Sequence, residues 1–257
     1  LIHSTLNIEL QELANRSAEK QLKKMQALLD KELTANKSKQ KWVKGLSIKD
    51  KDAWQQKRKI NIVDIDGIKT IELSKIDSLW HYHKMLNAAV LAIDPNNGKV
   101  RAWRGGNNFQ YLPYDMVMAK RQIASTVKPI IYAAALENGM RPWEYFNNKV
   151  IEYKEYDGWK PENYDHSQSE DTKVAMWYAL SRSMNLPTVD IYFETGHENM
   201  ADLSRRLGLK TPYETTPAIA LGSLDASLFD MVRAYSAFAT HGYLPDELIM
   251  IESIEDS

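Results

Sequence analysis

The sequence predicts an α+β fold, and three observations carry that reading. Ala88–Ile93 and Lys99–Trp103 are short apolar runs on either side of a turn cluster, the signature of an antiparallel hairpin. The run Ile130–Leu136 is apolar on every helical face, which marks a buried helix. Further helical stretches follow it between residues 171 and 240. An antiparallel sheet that includes the Val90–Trp103 hairpin, with helices on its faces, accommodates all three.

In chain order, residues 7–36 read as one long polar helix. Its narrow apolar stripe is Leu10, Leu13, Ala14, Ser17, Ala18, Gln21, Met25, Leu28 and Leu29. Residues 35–59, rich in Lys, Gln and Trp, read as a solvated connector. Asn61–Leu73 alternates weakly around Asp66-Gly67, a turn between two short strands. Asp94-Pro95-Asn96-Asn97-Gly98 turns the main hairpin, and Gly105-Gly106 ends it. The apolar helix runs from Ser125 to Asn138 with Gly139 as its stop. Pro129 is tolerated only in a first turn, so Ser125 lies at or just before the helix start. Asp171 or Thr172 caps a helix reaching about Arg182, and Ser183-Met184-Asn185-Leu186-Pro187 breaks it. A second helix continues to Glu194 before Gly196. Met200–Leu207 and Ser227–Thr240 are two more, the last closed by His241-Gly242.

Composition excludes several classes of function. The chain has 257 residues, 33 basic against 34 acidic, and a formal net charge of -1, so it lacks the basic excess of a nucleic-acid binder. It has no cysteine, which removes disulfides, cysteine-ligated zinc and a thiol nucleophile together. No apolar run is long enough to span a bilayer. The chain begins at Leu1 and stops at Ser257 without a turn signal, so it reads as an excised piece, and a missing anchor says nothing about its parent. His81 and His83 have the spacing with which a strand aims two ligands at a metal, but no third ligand stands out, which favours packing and no metal. Phosphate-loop and Gly-x-Gly-x-x-Gly patterns are absent, and no cofactor is expected.

A serine alcohol needs a neighbouring base to become a nucleophile. Lysine serves if burial disfavours its ammonium form. Positions i and i+3 share a helix face, so Ser-x-x-Lys holds hydroxyl and amine together. The pattern occurs three times, at Ser17/Lys20, Ser38/Lys41 and Ser125/Lys128. The first two sit in polar surroundings. Only Ser125 opens an apolar helix, where Lys128 can lose its water. On the residues alone Ser125 is either such a nucleophile or a helix-capping serine with a lysine in the first turn. Ser183-Met184-Asn185, the single Ser-x-Asn of the chain, is either a helix end with breaker residues or a hydroxyl and amide turned toward one point. There the hydroxyl relays a proton and the amide holds a substrate carbonyl.

Ser-x-x-Lys followed by Ser-x-Asn is the motif order of penicillin-binding proteins and class A β-lactamases. The flanks are more specific. Lys120-Arg121-Gln122, Lys128-Pro129 through Asn138-Gly139, Ala92-Ile93-Asp94-Pro95, Trp159-Lys160-Pro161-Glu162-Asn163-Tyr164 and Ala179 through Pro187 resemble class A, bifunctional penicillin-binding proteins. So do Ala220-Leu221-Gly222-Ser223 and Ala234 through Ala239, and Ser4–Ala14 looks like the linker after a glycosyltransferase domain. The resemblance implies a β-lactamase/transpeptidase-like fold in two parts: residues 1–84, a helical linker region following a missing glycosyltransferase domain, and residues 85–257, a transpeptidase domain cut before its third motif.

It further implies a serine D,D-transpeptidase that cross-links peptidoglycan stem peptides ending in D-Ala-D-Ala and that β-lactams inhibit. Ser125 is then the nucleophile, Lys128 the base, Ser183 the proton relay and Asn185 the substrate-binding amide. The Ser125 backbone N–H forms half of an oxyanion hole. The implied setting is the extracytoplasmic, periplasmic face of the cytoplasmic membrane, in a membrane-anchored parent working with other cell-wall synthesis proteins. Two departures stand against this. Ile123-Ala124 and Val127 replace the family's usual Pro-Gly and Phe, and Ala124 is expected to fit a helical approach. The third motif, Lys-Thr/Ser-Gly, is absent, and Lys210-Thr211-Pro212 is not a substitute. They support an alternative, a non-catalytic peptidoglycan-binding or scaffolding relative with a degenerate site. A carboxypeptidase or β-lactamase differs only in whether water resolves the acyl-enzyme.

Overall fold

The computed structural model describes residues 1–47, 51–108, 110–165, 172–210 and 216–256. They form two compact units, residues 1–119 with 247–257, and residues 120–246. All the strand ladders among the described residues are antiparallel pairs of two.

In the first unit β1 (Ile2–Ser4) pairs with the last strand, Ile251–Ile254. Helix α1 (Ile8–Ala35) starts at Asn7, whose side chain accepts the Leu10 N–H at 2.9 Å, an ordinary N-cap. The expected apolar stripe is only partly correct. Ala18 and Leu22 are buried, whereas Leu13, Met25 and Leu28 are exposed. The helix docks largely through amides that a hydropathy pattern cannot register. Gln11 Oε1 accepts the Trp103 N–H at 2.8 Å, and Gln26 Oε1 accepts the Leu86 N–H at 2.8 Å. Gln11, Ala18, Leu22 and Gln26 recur at helical spacing and form one face.

The expected connector holds two short helices, α2 (Ser38–Lys44) and α3 (Lys51–Gln55). The hairpin β2 (Arg58–Asp64) and β3 (Gly67–Leu73) turns where expected. Gly67 sits at φ 110, a value that needs glycine. Helix α4 (Lys75–Lys84) begins with a Ser74/Asp77 capping box. Its two histidines therefore lie on a helix, not a strand, and i, i+2 positions on a helix do not face one another. His81 Nε2 is 2.8 Å from the Val63 carbonyl oxygen, and the His83 ring stacks on Trp42 with centroids 5.1 Å apart. Packing explains both. The main hairpin follows as β4 (Val90–Ile93) and β5 (Val100–Arg104), with Asp94 accepting the Asn96 N–H at 3.0 Å inside the turn.

The second unit is built around α5 (Lys128–Glu137), which follows β6 (Arg121–Gln122) and a 3-10 turn over Ala124–Val127. Ile130, Ile131, Ala134 and Ala135 of α5 are fully or almost fully buried. Burying such aliphatic side chains contributes about 1.5–3 kcal/mol each for the larger ones. The helix ends in a Schellman motif. The Met140 N–H reaches the Ala135 oxygen and the Gly139 N–H the Leu136 oxygen, with Gly139 at φ 92.

Strands β7 (Tyr145–Asn147) and β8 (Lys173–Ala175) form a ladder ahead of α6 (Met176–Ser181). The helix expected from Asp171 or Thr172 thus starts later, because Lys173–Ala175 is held in strand geometry by β7. Asp171 itself lies outside the described residues. Helices α7 (Asn185–Thr195) and α8 (His197–Arg206) come next, and Val189, Ile191, Met200 and Leu203 from them complete the core. Strand β9 (Asp225–Ala226) pairs with β6, and α9 (Leu228–Ala239) starts at a Ser227/Asp230 capping box.

Candidate active site

The turn before α5 is shaped by a close crossing of two chain segments. Arg121 and Gln122 pair with Ala226 and Asp225, and the Ile123 N–H then reaches the Leu224 oxygen at 2.9 Å. The Ala124 N–H reaches the Gly222 oxygen at 3.1 Å. A Cβ on Gly222 would lie 2.0 Å from the Ala124 oxygen, so only glycine fits there. Ala124 does not adopt the helical approach expected of it. It sits at φ 46, in the left-handed region, where the backbone passes from the β6–β9 crossing into the 3-10 turn that precedes α5. That conformation costs an L-residue roughly 1–2 kcal/mol, which glycine avoids.

Ser125 follows in the 3-10 turn, one residue beyond that bend, and its side chain is exposed. Its carbonyl accepts the Lys128 N–H. Its own N–H makes no backbone hydrogen bond among the described residues. The turn is held from the far side by α9, whose Tyr235 hydroxyl donates to the Thr126 carbonyl at 2.7 Å.

Lys128 is the first residue of α5 and is 1% exposed. Desolvation lowers its pKa from the ordinary 10.5 to about 8, so roughly a tenth of it is neutral amine at pH 7 and the share grows steeply above that. Its Nζ stands 2.6 Å from the Ser183 carbonyl oxygen, 3.3 Å from Ser183 Oγ, 3.2 Å from the Met184 oxygen and 2.7 Å from Asn185 Oδ1. These are four acceptors for three ammonium protons, so one proton is shared. Lys20 and Lys41, in the other two Ser-x-x-Lys runs, are exposed.

Ser183 closes α6 by a second Schellman motif. The Met184 N–H reaches the Ala179 oxygen and the Ser183 N–H the Leu180 oxygen, both at 2.9 Å. Ser183 therefore occupies the left-handed position that glycine usually takes, at φ 52. Glycine has no hydroxyl to offer there.

Asn185 begins α7. Its Oδ1 faces Lys128, and its Nδ2 donates to the Glu162 carbonyl at 2.8 Å, with no partner among the described residues for its second amide hydrogen. Asn163, buried at 4% exposure, sets this helix start. Its Oδ1 accepts the N–H groups of Asn185 at 2.8 Å and Leu186 at 3.1 Å, and its Nδ2 donates to Asn148 Oδ1. The Tyr132 hydroxyl lies 3.0 Å from Thr188 Oγ1, tying α5 to α7, and burial pushes its pKa up to about 12.

The structure thus gathers Lys128, Ser183 and Asn185 into one hydrogen-bonded group. Among the described residues, the Ser125 hydroxyl is not bonded to that group. Sequence reasoning assigned no role to Asn163, Tyr132 or Thr188. Asn163 lies in the Trp159–Tyr164 run that carries part of the family resemblance, the one sequence signal near it. Thr211 and Pro212 of the rejected Lys210-Thr211-Pro212 run lie outside the described residues, as does His166. Among the described residues, no group of three or more metal-ligating side chains converges.

Residues 88–256 match the family model of the penicillin binding protein transpeptidase domain. The chain belongs to this transpeptidase family. Its relatives include penicillin-binding protein 1A of Rickettsia felis, 34% identical over 161 residues, which are 61% of this chain and 20% of that protein. Penicillin-binding protein 1B of Haemophilus influenzae is 36% identical over 61% of this chain and 21% of its own length. That of Escherichia coli is 30% identical over 69% of this chain and 22% of its own length. The chain thus spans about a fifth of the curated relatives it matches. Among solved structures, penicillin-binding protein 1A of H. influenzae superposes with a TM-score of 0.71 at 20% identity, covering 99% of this chain and 44% of that one. PonA1 of Mycobacterium tuberculosis, in a complex with penicillin V, gives 0.57 at 21% identity over 77% of this chain and 55% of its own. These likenesses show the fold, α+β of the transpeptidase type.

Proposed function

We propose that the chain is part of a serine D,D-transpeptidase that cross-links peptidoglycan stem peptides through an acyl-enzyme on Ser125. One observation carries the reading: a fully buried lysine with a lowered pKa, held by Ser183 and Asn185, lies one turn of chain after an exposed serine. A lysine kept partly neutral at pH 7 is a general base, whereas a helix-capping partner needs no such burial.

In the proposed first half-reaction, Lys128 Nζ takes the Ser125 hydroxyl proton. Ser125 Oγ bonds to the carbonyl carbon of the penultimate D-Ala. The C–N bond to the terminal D-Ala breaks, and the proton passes through Ser183 Oγ to the leaving amine. In the second, an amine of a neighbouring stem attacks the acyl carbon, its proton returns through the same groups, and Ser125 is released. The second hydrogen of Asn185 Nδ2 holds the donor peptide, and the Ser125 N–H, which makes no backbone hydrogen bond among the described residues, supplies half of an oxyanion hole. β-Lactams acylate Ser125 as donor mimics.

By the same reading, residues 1–84 are the linker region after a glycosyltransferase domain and residues 85–257 belong to the transpeptidase domain. The parent is a membrane-anchored enzyme working at the periplasmic face of the cytoplasmic membrane, alongside other cell-wall synthesis proteins. No described helix of this chain is long and apolar enough to cross a membrane, so the placement rests on the family. The sequence contains no Lys-Thr/Ser-Gly run. The wall that this motif supplies in the family must come from elsewhere in the parent.

The test is to incubate the intact parent with a fluorescent penicillin, beside its Ser125→Ala variant. Stable labelling that the variant loses supports the reading. An unlabelled wild-type parent overturns it in favour of a scaffolding relative.

A further inference from the structure

The Met184 carbonyl stands between the proposed base and a buried pair of hydroxyls that the reaction itself does not use. Met184 is the N-cap of α7, so its oxygen takes the first N–H of the helix. The Thr188 hydroxyl donates to the same oxygen at 2.6 Å. A carbonyl oxygen offers two lone pairs, and these two donors fill them. Lys128 Nζ meets that oxygen only at 3.2 Å, against 2.6 Å to the Ser183 carbonyl and 2.7 Å to Asn185 Oδ1. Thr188 has spent its proton on Met184, so the Tyr132 hydroxyl is the donor in their 3.0 Å contact. Both side chains are buried, Thr188 completely. Lys128 and Tyr132 are four positions apart on α5, as are Met184 and Thr188 at α7, so the four groups close a ring between the two helices.

We propose that Thr188 and Tyr132 are positioning residues for the base: Tyr132 orients the Thr188 hydroxyl, and Thr188 occupies the Met184 carbonyl, which then cannot serve Lys128 as a full ammonium acceptor. This rests on the acyltransferase reading. Any acceptor that closes on Nζ favours the charged amine, and a charged amine cannot take the Ser125 proton. A carbonyl already satisfied by Thr188 walls the amine without holding its proton. The surroundings offer no competing charge. Burial is the one cause of the lowered Lys128 pKa, and no charged side chain adds to it. The 3-10 turns at Ala124–Val127 and Pro217–Leu221 carry no titratable side chain. On the helices packed against α5, Asp190 of α7 bonds to Asn147, His197 of α8 to Tyr192 and Arg206 to Glu137, while Tyr178 of α6 lies under Arg182. Neither Thr188 nor Tyr132 touches the reacting atoms, and both act through Met184.

The experiment follows the rate at which a fluorescent penicillin acylates the full-length parent across the neutral and alkaline pH range. Thr188→Val keeps the side-chain shape and frees the Met184 lone pair. Nζ gains an acceptor and the ammonium is favoured. The midpoint of the rise in rate is expected about half to one pH unit higher, so acylation at pH 7 falls roughly three- to tenfold while the rates converge at high pH. Thr188→Ser keeps the hydroxyl and holds the wild-type midpoint. Thr188→Val also strands the buried Tyr132 hydroxyl, so it is paired with the Tyr132→Phe/Thr188→Val double variant, which is expected to share its midpoint. Tyr132→Phe alone moves the midpoint the same way by less, because Thr188 still bonds Met184. An unchanged midpoint in the valine and double variants overturns the proposal, even if the rate falls equally at every pH, which is what a merely structural role gives. Thermal unfolding between pH 8 and 10.5 reads the same titration without acylation. The stability gained as pH rises is expected to be smaller in Thr188→Val, whose folded-state amine keeps its proton to higher pH. An unlabelled wild type together with that flattened slope sinks only the acyltransferase reading, whereas labelling with an unchanged midpoint sinks only the positioning role.

Discussion

Lys128 Nζ lies 2.7 Å from Asn185 Oδ1, although the two residues are 57 positions apart in the chain. The contact joins the first residue of α5 to the first residue of α7, and Ser183 completes it from the turn between α6 and α7. A buried amine in this place has a thermodynamic signature, since desolvation lowers its pKa from 10.5 to about 8. Between pH 8 and 10.5 the unfolded chain holds the Lys128 proton and the folded chain has released it. The unfolded state then binds more protons, so stability rises with pH across that window. Thermal unfolding at pH 7, 8, 9 and 10 is expected to show this rise against a Lys128→Met control, which lacks it. Identical pH slopes in the two proteins would mean that the amine titrates normally. Penicillin acylation is expected to rise toward pH 8 and above and to be lost in the methionine variant.

Ser183, the proposed proton relay, occupies a structurally expensive position. At φ 52 it closes α6 where glycine is the unstrained choice. Ser183→Gly is expected to stabilise the folded chain by about 0.5–1 kcal/mol while removing the hydroxyl beside Lys128. Denaturant midpoints should rise as penicillin acylation falls by at least tenfold. A glycine variant that is less stable than wild type would contradict the assignment of strain to this residue.

Much of the fold was legible because it rests on local chemistry. The Asp94–Gly98 turn, the Gly139 stop and the start of the last helix at Ser227 were readable from residue type alone. Even Lys128 could be selected from three Ser-x-x-Lys runs by the apolar helix behind it. What stayed hidden depends on partners distant in sequence. Gln11 and Gln26 dock α1 through their side-chain amides, so the apolar stripe misplaced the buried face. Trp42 and His83 find each other across the presumed connector. Ala124 looked compatible with a helix because the segment it crosses, at Gly222, lies about a hundred residues later. Asn163 fell inside a recognisable run, but nothing local to it says that it caps α7.

Asn163 is the next test of the site. Its one side-chain oxygen accepts two N–H groups at the start of α7, and its amide is bonded to Asn148. Asn163→Ala leaves two donors and the Asn148 oxygen without partners in a buried setting, a loss of about 2–3 kcal/mol. Asn163→Asp keeps the acceptor for α7 but cannot donate to Asn148. Urea unfolding should rank wild type above Asp and Asp above Ala. Penicillin acylation should follow the same order, because Asn185 is displaced with the helix start. Equal stability of the two variants would show that the cap is not what holds α7.

The crossing of Ala124 and Gly222 gives paired and opposite expectations. Gly222→Ala places a methyl group 2.0 Å from the Ala124 oxygen, in a backbone already at φ 83. Neither chain can yield without breaking the ladder of Arg121 with Ala226 and Gln122 with Asp225. The loss of stability should therefore exceed about 2 kcal/mol. Ala124→Gly relieves the left-handed strain at φ 46 and should stabilise the chain by about 0.5–1 kcal/mol. It also restores the glycine that resembling proteins carry before the serine, so penicillin acylation of Ser125 should rise or hold. If Ala124→Gly destabilises the chain, the alanine methyl makes a packing contribution larger than the strain it incurs, and the bend before Ser125 is not the strained point of the turn.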